Sequence, residues 1–540
     1  MPADLIFVNG PIITVDDTHP TAEAIAVLGK RIVRVGSDAE VRAEAGPATR
    51  IIDLGGRAVL PGFNDNHTHP VAFGESLSSI DATPGAAPTL AALQDAFRRA
   101  AAQPPGSGAL GDAGDGWLQA RGYDDTRLDV HRHPTRYDLD EATGNRPAVL
   151  VRTCGHLAVA NSAALARAGV TRTTSDPVGG QVDRDESGEP TGLLRETAMG
   201  LVRSLVPRPT RAQIKAHLRA AGARFLAYGI TSVGEAAIRT SDEMAAYQEL
   251  ARDGELPMRV FMMVLIDDTL EPLAKLGLQT GFGNDWLRIG PAKLFQDGSG
   301  GGRTAAMFVD YRNDPGNRGI TIYDQEGLDD RFARAHRAGF QLAAHAIGDR
   351  AITMILEAYE RAFGDEPAPG RHRARIEHAG MCTPAILNRM ERLGIVAVPQ
   401  PAFVHYLGDS YLENFTPEQL ALSYPARSWF DRGIVAAASS DVPVVPCDPF
   451  VNLRAAVTRC TQDGHLMGPD QKVTVEEAVR MLTRNGAYAS FEEHAKGAIA
   501  PGMLADLVVL DRDPRRVPPE DLHTLHAEMT VIDGRIVYQL

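Results

Sequence analysis

Pro61-Gly62-Phe63-Asn64-Asp65-Asn66-His67-Thr68-His69-Pro70 comes directly after the apolar run Arg57 to Leu60, which reads as a β-strand ending in a Pro-Gly turn. Side chains two apart on a strand project to the same side, so His67 and His69 can bring two imidazoles to one metal ion. Taken alone, the pattern fits equally well a turn with two half-exposed histidines. The rest of the chain separates the two readings.

Past residue 209 the chain alternates helices and strands. A helix over 210–228 carries apolar residues at Ile214, Leu218, Ala221 and Phe225, and the strand Ile230 to Val233 comes next. Thr240-Ser241-Asp242-Glu243 is a capping box that opens a helix ending near Gly254. Further strands are expected at Arg259 to Leu265, Arg288 to Phe295, Phe340 to His345, Ala374 to His378, Ile395 to Val398 and Ile434 to Ala438. Between them fall helices over 325–338 and 349–363, and another begun by Thr383-Pro384. Successive βα units imply a parallel sheet. About eight of them imply an α/β fold of the (β/α)8 TIM-barrel kind, spanning 57–487.

Two regions stand outside that alternation. Short strands at Leu5 to Val8, Ile12 to Val15, Ala24 to Val27, Arg31 to Val35 and Ile51 to Leu54 are separated by hairpin-like turns at Asn9-Gly10 and Gly29-Lys30. The texture returns at Asp506 to Leu510, Met529 to Ile532 and Arg535 to Tyr538, the last two joined by Asp533-Gly534. A small β-sandwich built from 1–56 plus 488–540 is expected. The alternative is two separate hairpins, each marginal alone. The stretch 71–209, with a Gly/Pro/Ala-rich loop from Gln103 to Gly116, is too long for a connector and is expected to form a lid over the barrel mouth.

Chemistry-bearing residues fall at strand ends. His345 ends FQLAAH, His378 ends ARIEH, Lys293 lies near the end of RIGPAKLF, and Asp441 comes just after IVAAASS. The carboxyl ends of barrel strands are where such folds keep their active sites. A lone strand-end histidine is ordinarily a hydrogen-bonded structural residue. Burying His67, His69, Lys293, His345, His378 and Asp441 together is costly unless a metal or paired charges compensate. Nitrogen and oxygen donors of this kind suit Zn²⁺ or another first-row divalent ion.

Composition excludes several classes. A net charge of −14 opposes nucleic-acid or anionic-membrane partners, which need clustered Lys and Arg. No apolar run approaches the ~20 residues that span a bilayer. The start, MPADLIFVNG, lacks a basic leader with a long apolar stretch, and four cysteines without a CxxC pair suggest reduced thiols; a cytoplasmic address is expected.

PGFNDNHTHP, KLFQDGSGGGRTAAM (293–307), LAAHAIGDRA (342–351), RIEHAGM (375–381) and SSDVP (439–443) together resemble the amidohydrolase superfamily, more narrowly its YtcJ-like branch, which includes N-substituted formamide deformylases. DLIFVNGPIITVD near the start, ARGYDDT (120–126), GHLAVANSAAL (155–165) and GEPTGLLRETA (188–198) in the insertion, and NGAYAS (485–490) and GAIAPGMLADLVVLD (497–511) extend the likeness to nearly the whole chain. The resemblance implies metal-dependent hydrolysis of a non-peptide C–N bond, in an amide or N-substituted formamide, by a water that the metal acidifies. It implies that His67, His69 and Asp441 hold a buried metal, that His345 and His378 hold a more exposed one, and that Lys293, carboxylated by CO₂, bridges the two. Asp441 is then also the base. An unmodified Lys293, paired with Asp297 or another acid, would go with a single ion, as in a deaminase-type member; a non-catalytic scaffold on the same fold is the remaining alternative.

Tyr123, His156, Arg303 and Gln400 are the candidate substrate contacts, each with loop packing as its alternative. Asp297 and Asp349 are candidates to orient ligands, although Asp349 could instead cap the helix that begins at its own position. A homodimer is the expected assembly, with a small molecule as substrate.

Overall fold

The computed structural model describes residues 1–108, 110–365 and 371–540. Its centre is a seven-stranded parallel sheet that curls until it is nearly closed. In sheet order the strands are Val396–Val398, Arg375–His378, Leu342–Ala346, Leu287–Phe295, Arg259–Leu265, Ile230–Ile238 and Phe63–Thr68. The remaining gap is spanned by residues 434–442. Expected as a strand over Ile434–Ala438, this segment forms only an isolated parallel bridge, Ala397 to Ala436. It is nonetheless bonded to both edges: Ala437 N–H donates to the Ala397 carbonyl at 2.9 Å, and Asp441 N–H to the His67 carbonyl at 2.9 Å.

The helices cover the sheet as their spacing requires. Arg211–Ala227 starts with the Thr210/Gln213 capping box and buries Ile214, Leu218, Ala221 and Phe225. Asp349–Phe363 buries Ile352, Ile355, Leu356, Tyr359 and Phe363. Its N-cap is Gly348, so Asp349 is the first helical residue; its carboxylate accepts N–H groups from Phe308 and Arg350. Among the described residues no helix is long and apolar enough to cross a membrane.

The first barrel strand is not the apolar run before Pro61. Ala58–Pro61 belongs to a different sheet, and the barrel strand is the polar Phe63–Thr68 just beyond it, all six residues buried. Hydrophobicity could not find it, because its polar side chains are satisfied internally. Asn64 donates to the Thr483 carbonyl, Asn66 to the Ala438 carbonyl, and Asp65 accepts from Ser440.

Two further sheets are made near the chain ends. One contains Arg31–Gly36, Ala24–Leu28, Leu5–Val8 and Arg50–Asp53. The other runs Arg535–Gln539, Ala527–Ile532, Leu507–Leu510, Ala58–Pro61, Ile12–Ile13 and Thr21–Ala22, so residues from both ends of the chain share it. Leu5, Phe7, Ile25 and Val27 of the first pack with Val59, Leu507, Val509 and Met529 of the second. Gly29-Lys30 and Asp533-Gly534 turn hairpins, whereas Asn9-Gly10 carries the chain from one sheet into the other. Gly10 is needed there: a Cβ would lie 2.5 Å from the Arg57 carbonyl oxygen. The second sheet is tied to the barrel by buried Arg259, whose Nε and Nη2 donate to both Asp506 oxygens (2.6 and 2.9 Å) and whose Nη2 also reaches Asp533 (2.6 Å).

The stretch after the first barrel strand builds its own six-stranded sheet, ordered Gly180–Arg184, Pro190–Glu196, Leu157–Ala160, Ala148–Arg152, Leu118–Tyr123 and Ile80–Asp81. Of its Gln103–Gly116 loop, residue 109 lies outside the described residues. The sheet touches the barrel through Thr153, which donates to the Val444 carbonyl at 2.8 Å.

Candidate active site

Five of the six candidate ligands are buried at the carboxyl ends of the barrel strands, and His69 is only partly exposed. His67 lies within its strand and His69 just after it, as N-cap of the helix Pro70–Ser76. Lys293 and His345 lie inside their strands, His378 ends its strand, and Asp441 sits in the segment that spans the gap. His378 (φ 71°) and Asp441 (φ 60°) hold left-handed backbone conformations that non-glycine residues adopt infrequently.

Their contacts form a continuous chain. Asp441 Oδ1 lies 3.5 Å from His67 Nε2 and 3.3 Å from His69 Nε2. The His67 ring is 5.0 Å from that of His378, which is 4.3 Å from that of His345. One donor atom each from His67, His378 and Asp441 lies within 4.8 Å of the others.

Hydrogen bonds fix which nitrogen each imidazole presents. His67 Nδ1–H donates to Glu377 Oε2 at 2.6 Å, leaving Nε2 toward Asp441. His378 Nδ1–H donates to Gln400 Oε1 at 2.6 Å; the Gln400 amide is oriented by its own donation to the Val398 carbonyl and Ser439. His345 Nε2–H donates to the Gly298 carbonyl at 3.0 Å, leaving Nδ1 free. Each ring thus has one proton engaged and one lone pair available, the arrangement a metal-binding histidine needs. Burial, reinforced by Lys293 and neighbouring rings, drives His67 and His378 well below the usual imidazole range and His345 to about 3.

Lys293 is fully buried, and its Nζ has no hydrogen-bond partner, lying 4.6 Å from the centre of the Phe295 ring. The expected alternative, a pairing with Asp297, is absent. Asp297 instead accepts backbone N–H groups from Ala306, Ile347 and Gly348, and lies 3.4 Å from His345 Nε2. Burial brings the Lys293 amine down to about 8. Orphaned buried nitrogen, neutral imidazoles and a nearby carboxylate make a donor set that fits a divalent cation.

The candidate substrate contacts divide. His156 is brought in: its ring is 4.9 Å from that of His345, and Nδ1 donates to Glu196 Oε2 at 2.7 Å. Gln400 is committed to His378. Tyr123 is buried in the insertion, its hydroxyl 3.1 Å from His133 Nδ1. Arg303 lies 3.9 Å from Asp314. Asp349 contacts the Phe308 and Arg350 amides and none of the candidate ligands.

Three residues here escape a search for metal ligands. Glu377 holds His67 and is itself held by Arg375, whose Nε and Nη2 donate at 2.7 and 2.9 Å. Glu196 holds His156 and packs where a side chain on Gly298 would be, a Cβ there meeting Glu196 Oε1 at 2.0 Å. Asp65 ties the first barrel strand to Ser440, and burial raises it to about 7. They stand within the motifs RIEHAGM, GEPTGLLRETA and PGFNDNHTHP, and the visible signal was a charge within a strand that is otherwise buried.

A family model described as the amidohydrolase family matches residues 50–538. The chain is 32% identical over 546 residues to the putative amidohydrolase YtcJ of Bacillus subtilis, covering 99% of both chains. It is 32% identical over 564 residues to the N-substituted formamide deformylase of Arthrobacter pascens, covering 99% of this chain and 98% of that one. An uncharacterized metal-dependent hydrolase from Pyrococcus horikoshii superposes with a TM-score of 0.75 at 27% identity, over 95% of this chain and 99% of the other.

Proposed function

The chain belongs to the amidohydrolase family, and from that premise we propose that it is a metal-dependent hydrolase of a non-peptide C–N bond, of the amide or N-substituted formamide type. The observation that carries this reading is the buried, unpartnered Lys293 Nζ among three imidazoles held neutral and the Asp441 carboxylate.

In this reading His67, His69, Asp441, His345, His378 and Lys293 hold one or two divalent ions, zinc by donor type. A metal held there supplies Lewis acidity, polarising the substrate carbonyl and acidifying a water. Asp441 takes the water proton and later delivers it to the departing nitrogen. Glu377 and Gln400 keep His67 and His378 in the tautomers that leave a lone pair inward. Lys293 as a free amine can add CO₂, losing one proton and becoming a carbamate that could join two ions. Among the described residues, the mutual approach of His67, His378 and Asp441 as one group of donors favours, as a second reading, a single-ion form.

The barrel is read as (β/α)8, with 434–438 as an irregular eighth strand. The sheets near the chain ends are read as one sandwich from 1–56 and 488–540, and 71–209 as a lid. A cytoplasmic homodimer belongs to the same proposal. The test is metal analysis together with a screen on N-substituted formamides and simple amides, run beside Asp441→Asn. A folded Asp441→Asn with at least ~100-fold less turnover is expected. Retained turnover excludes Asp441 as the base, and absence of both metal and hydrolysis excludes the reading.

A further inference from the structure

The protein carries a net charge of −14, yet three arginines gather at the barrel mouth with no anion engaging them. Arg239 comes directly after the second barrel strand, Arg121 lies on the insertion strand Leu118–Tyr123, and Arg203 ends the helix Gly200–Arg203. Among the described residues, none of the three guanidinium groups takes part in an ion pair or hydrogen bond, and Arg121 Nε is buried without a partner.

Two of the three are placed against the site. The Arg239 guanidinium lies 5.8 Å from the Phe295 ring centre, the ring that has Lys293 Nζ at 4.6 Å and His345 at 5.5 Å. Arg121 Nη2 lies 3.5 Å from where a side chain on Gly155 would begin, next to His156, whose ring meets His345. Burial, with the Arg239 charge, holds the Arg203 guanidinium below its usual range. Glu75 is the acid outside the site that acts on Arg121 and Arg203. Burial and Arg203 together draw the Arg121 guanidinium down to about 10. The buried, unpartnered Nε of Arg121 is unfavourable until an oxyanion arrives, and a carboxylate matches the planar fork of a guanidinium.

We infer that Arg121, Arg203 and Arg239 form an anion-recognition wall above the hydrolytic site, selecting amides whose remainder carries a carboxylate. This deepens the hydrolase reading and rests on it for the position of the scissile bond. Arg203 and Arg239 are exposed and Arg121 is half-buried, so a carboxylate can approach from solvent.

The test uses two compounds differing in one group: 4-(formamidomethyl)benzoate and 4-(formamidomethyl)benzamide. Ligand-observed NMR titration of the purified, metal-loaded protein reads affinity, and formate release is read from the same tubes. At least about 10-fold tighter binding of the benzoate is expected, and in Arg239→Gln and Arg121→Gln that ratio should fall to within about 2-fold. The variants separate the wall from the metal as the source of preference, since a carboxylate on the metal keeps its advantage in both. A ratio near one in the parent protein, a ratio preserved in both variants, or no binding of either compound overturns the inference. Preference without formate release supports the wall and counts against formamide hydrolysis. Equal binding with formate released from both does the reverse.

Discussion

Glu377→Gln is the sharpest probe of how the site is held. Glu377 is completely buried and accepts three N–H groups: two from Arg375, at 2.7 and 2.9 Å, and one from His67 Nδ1, at 2.6 Å. Glutamine keeps the shape but removes the charge and turns one acceptor into a donor facing Arg375. The buried guanidinium is then uncompensated, a loss of about 3–5 kcal/mol. For a chain of this size the urea dependence is at or above ~3 kcal/mol per molar, so the unfolding midpoint should fall by roughly 1 M. Tryptophan fluorescence reports this, because Trp117 and Trp429 are buried. Metal affinity, measured by competition with a chromogenic chelator, should drop about 10- to 100-fold as His67 loses its orienting partner. The double variant Glu377→Gln/Arg375→Met should regain much of the stability, by removing the stranded charge, and none of the metal affinity. An unchanged midpoint and unchanged metal affinity in Glu377→Gln would refute the reasoning.

Buried titratable groups lead to two more expected outcomes. Glu235, buried and accepting from the Tyr247 hydroxyl at 2.5 Å, is raised to about 7, chiefly by burial. A raised carboxyl favours the folded state below its unfolded pKa, near 4.5, and that contribution is lost as pH rises through about 7; the urea midpoint of Glu235→Gln should therefore depend less on pH between 4.5 and 7. Cys154, Cys382 and Cys447 are buried, and burial pushes the Cys382 and Cys447 thiols upward, while Cys460 is partly exposed. Ellman's reagent should react quickly with one thiol in the native protein and with four in urea; two or more fast thiols would contradict this packing.

The sequence was most legible where function and periodicity coincide. The helix Arg211–Ala227 and the positions of Lys293, His345 and His378 could be read from apolar spacing and strand length. It was least legible where polar groups are buried in pairs. Phe63–Thr68 is a barrel strand made largely of Asn, Asp, His and Thr, and no hydrophobic pattern marks it, because its polar side chains are satisfied by partners up to 419 residues away. The segment 434–438 has a strand's composition but is kept irregular while Ser440 and Asp441 bond to the first barrel strand. Gln400 looked like a substrate contact because it comes just after a strand; only the folded chain commits its carbonyl to His378. Glu377 and Glu196 act on histidines 310 and 40 residues away, and no local spacing encodes such pairings.

Arg259 has a consequence for how the molecule is made. It is buried in the third barrel strand, and the aspartates that neutralise it lie 247 and 274 residues later in the chain. A nascent polypeptide leaving the ribosome therefore carries this charge without these counter-ions while the next 247 residues are made. A barrel closed before Asp506 and Asp533 emerge would lack this tie to the second sheet and leave the Arg259 charge unneutralised. The strand Ala58–Pro61 waits likewise for Leu507–Leu510, and it leads directly into the strand bearing His67. A translation product stopped short of residue 506 lacks both attachments and is expected to be cleaved by proteases faster than the full chain.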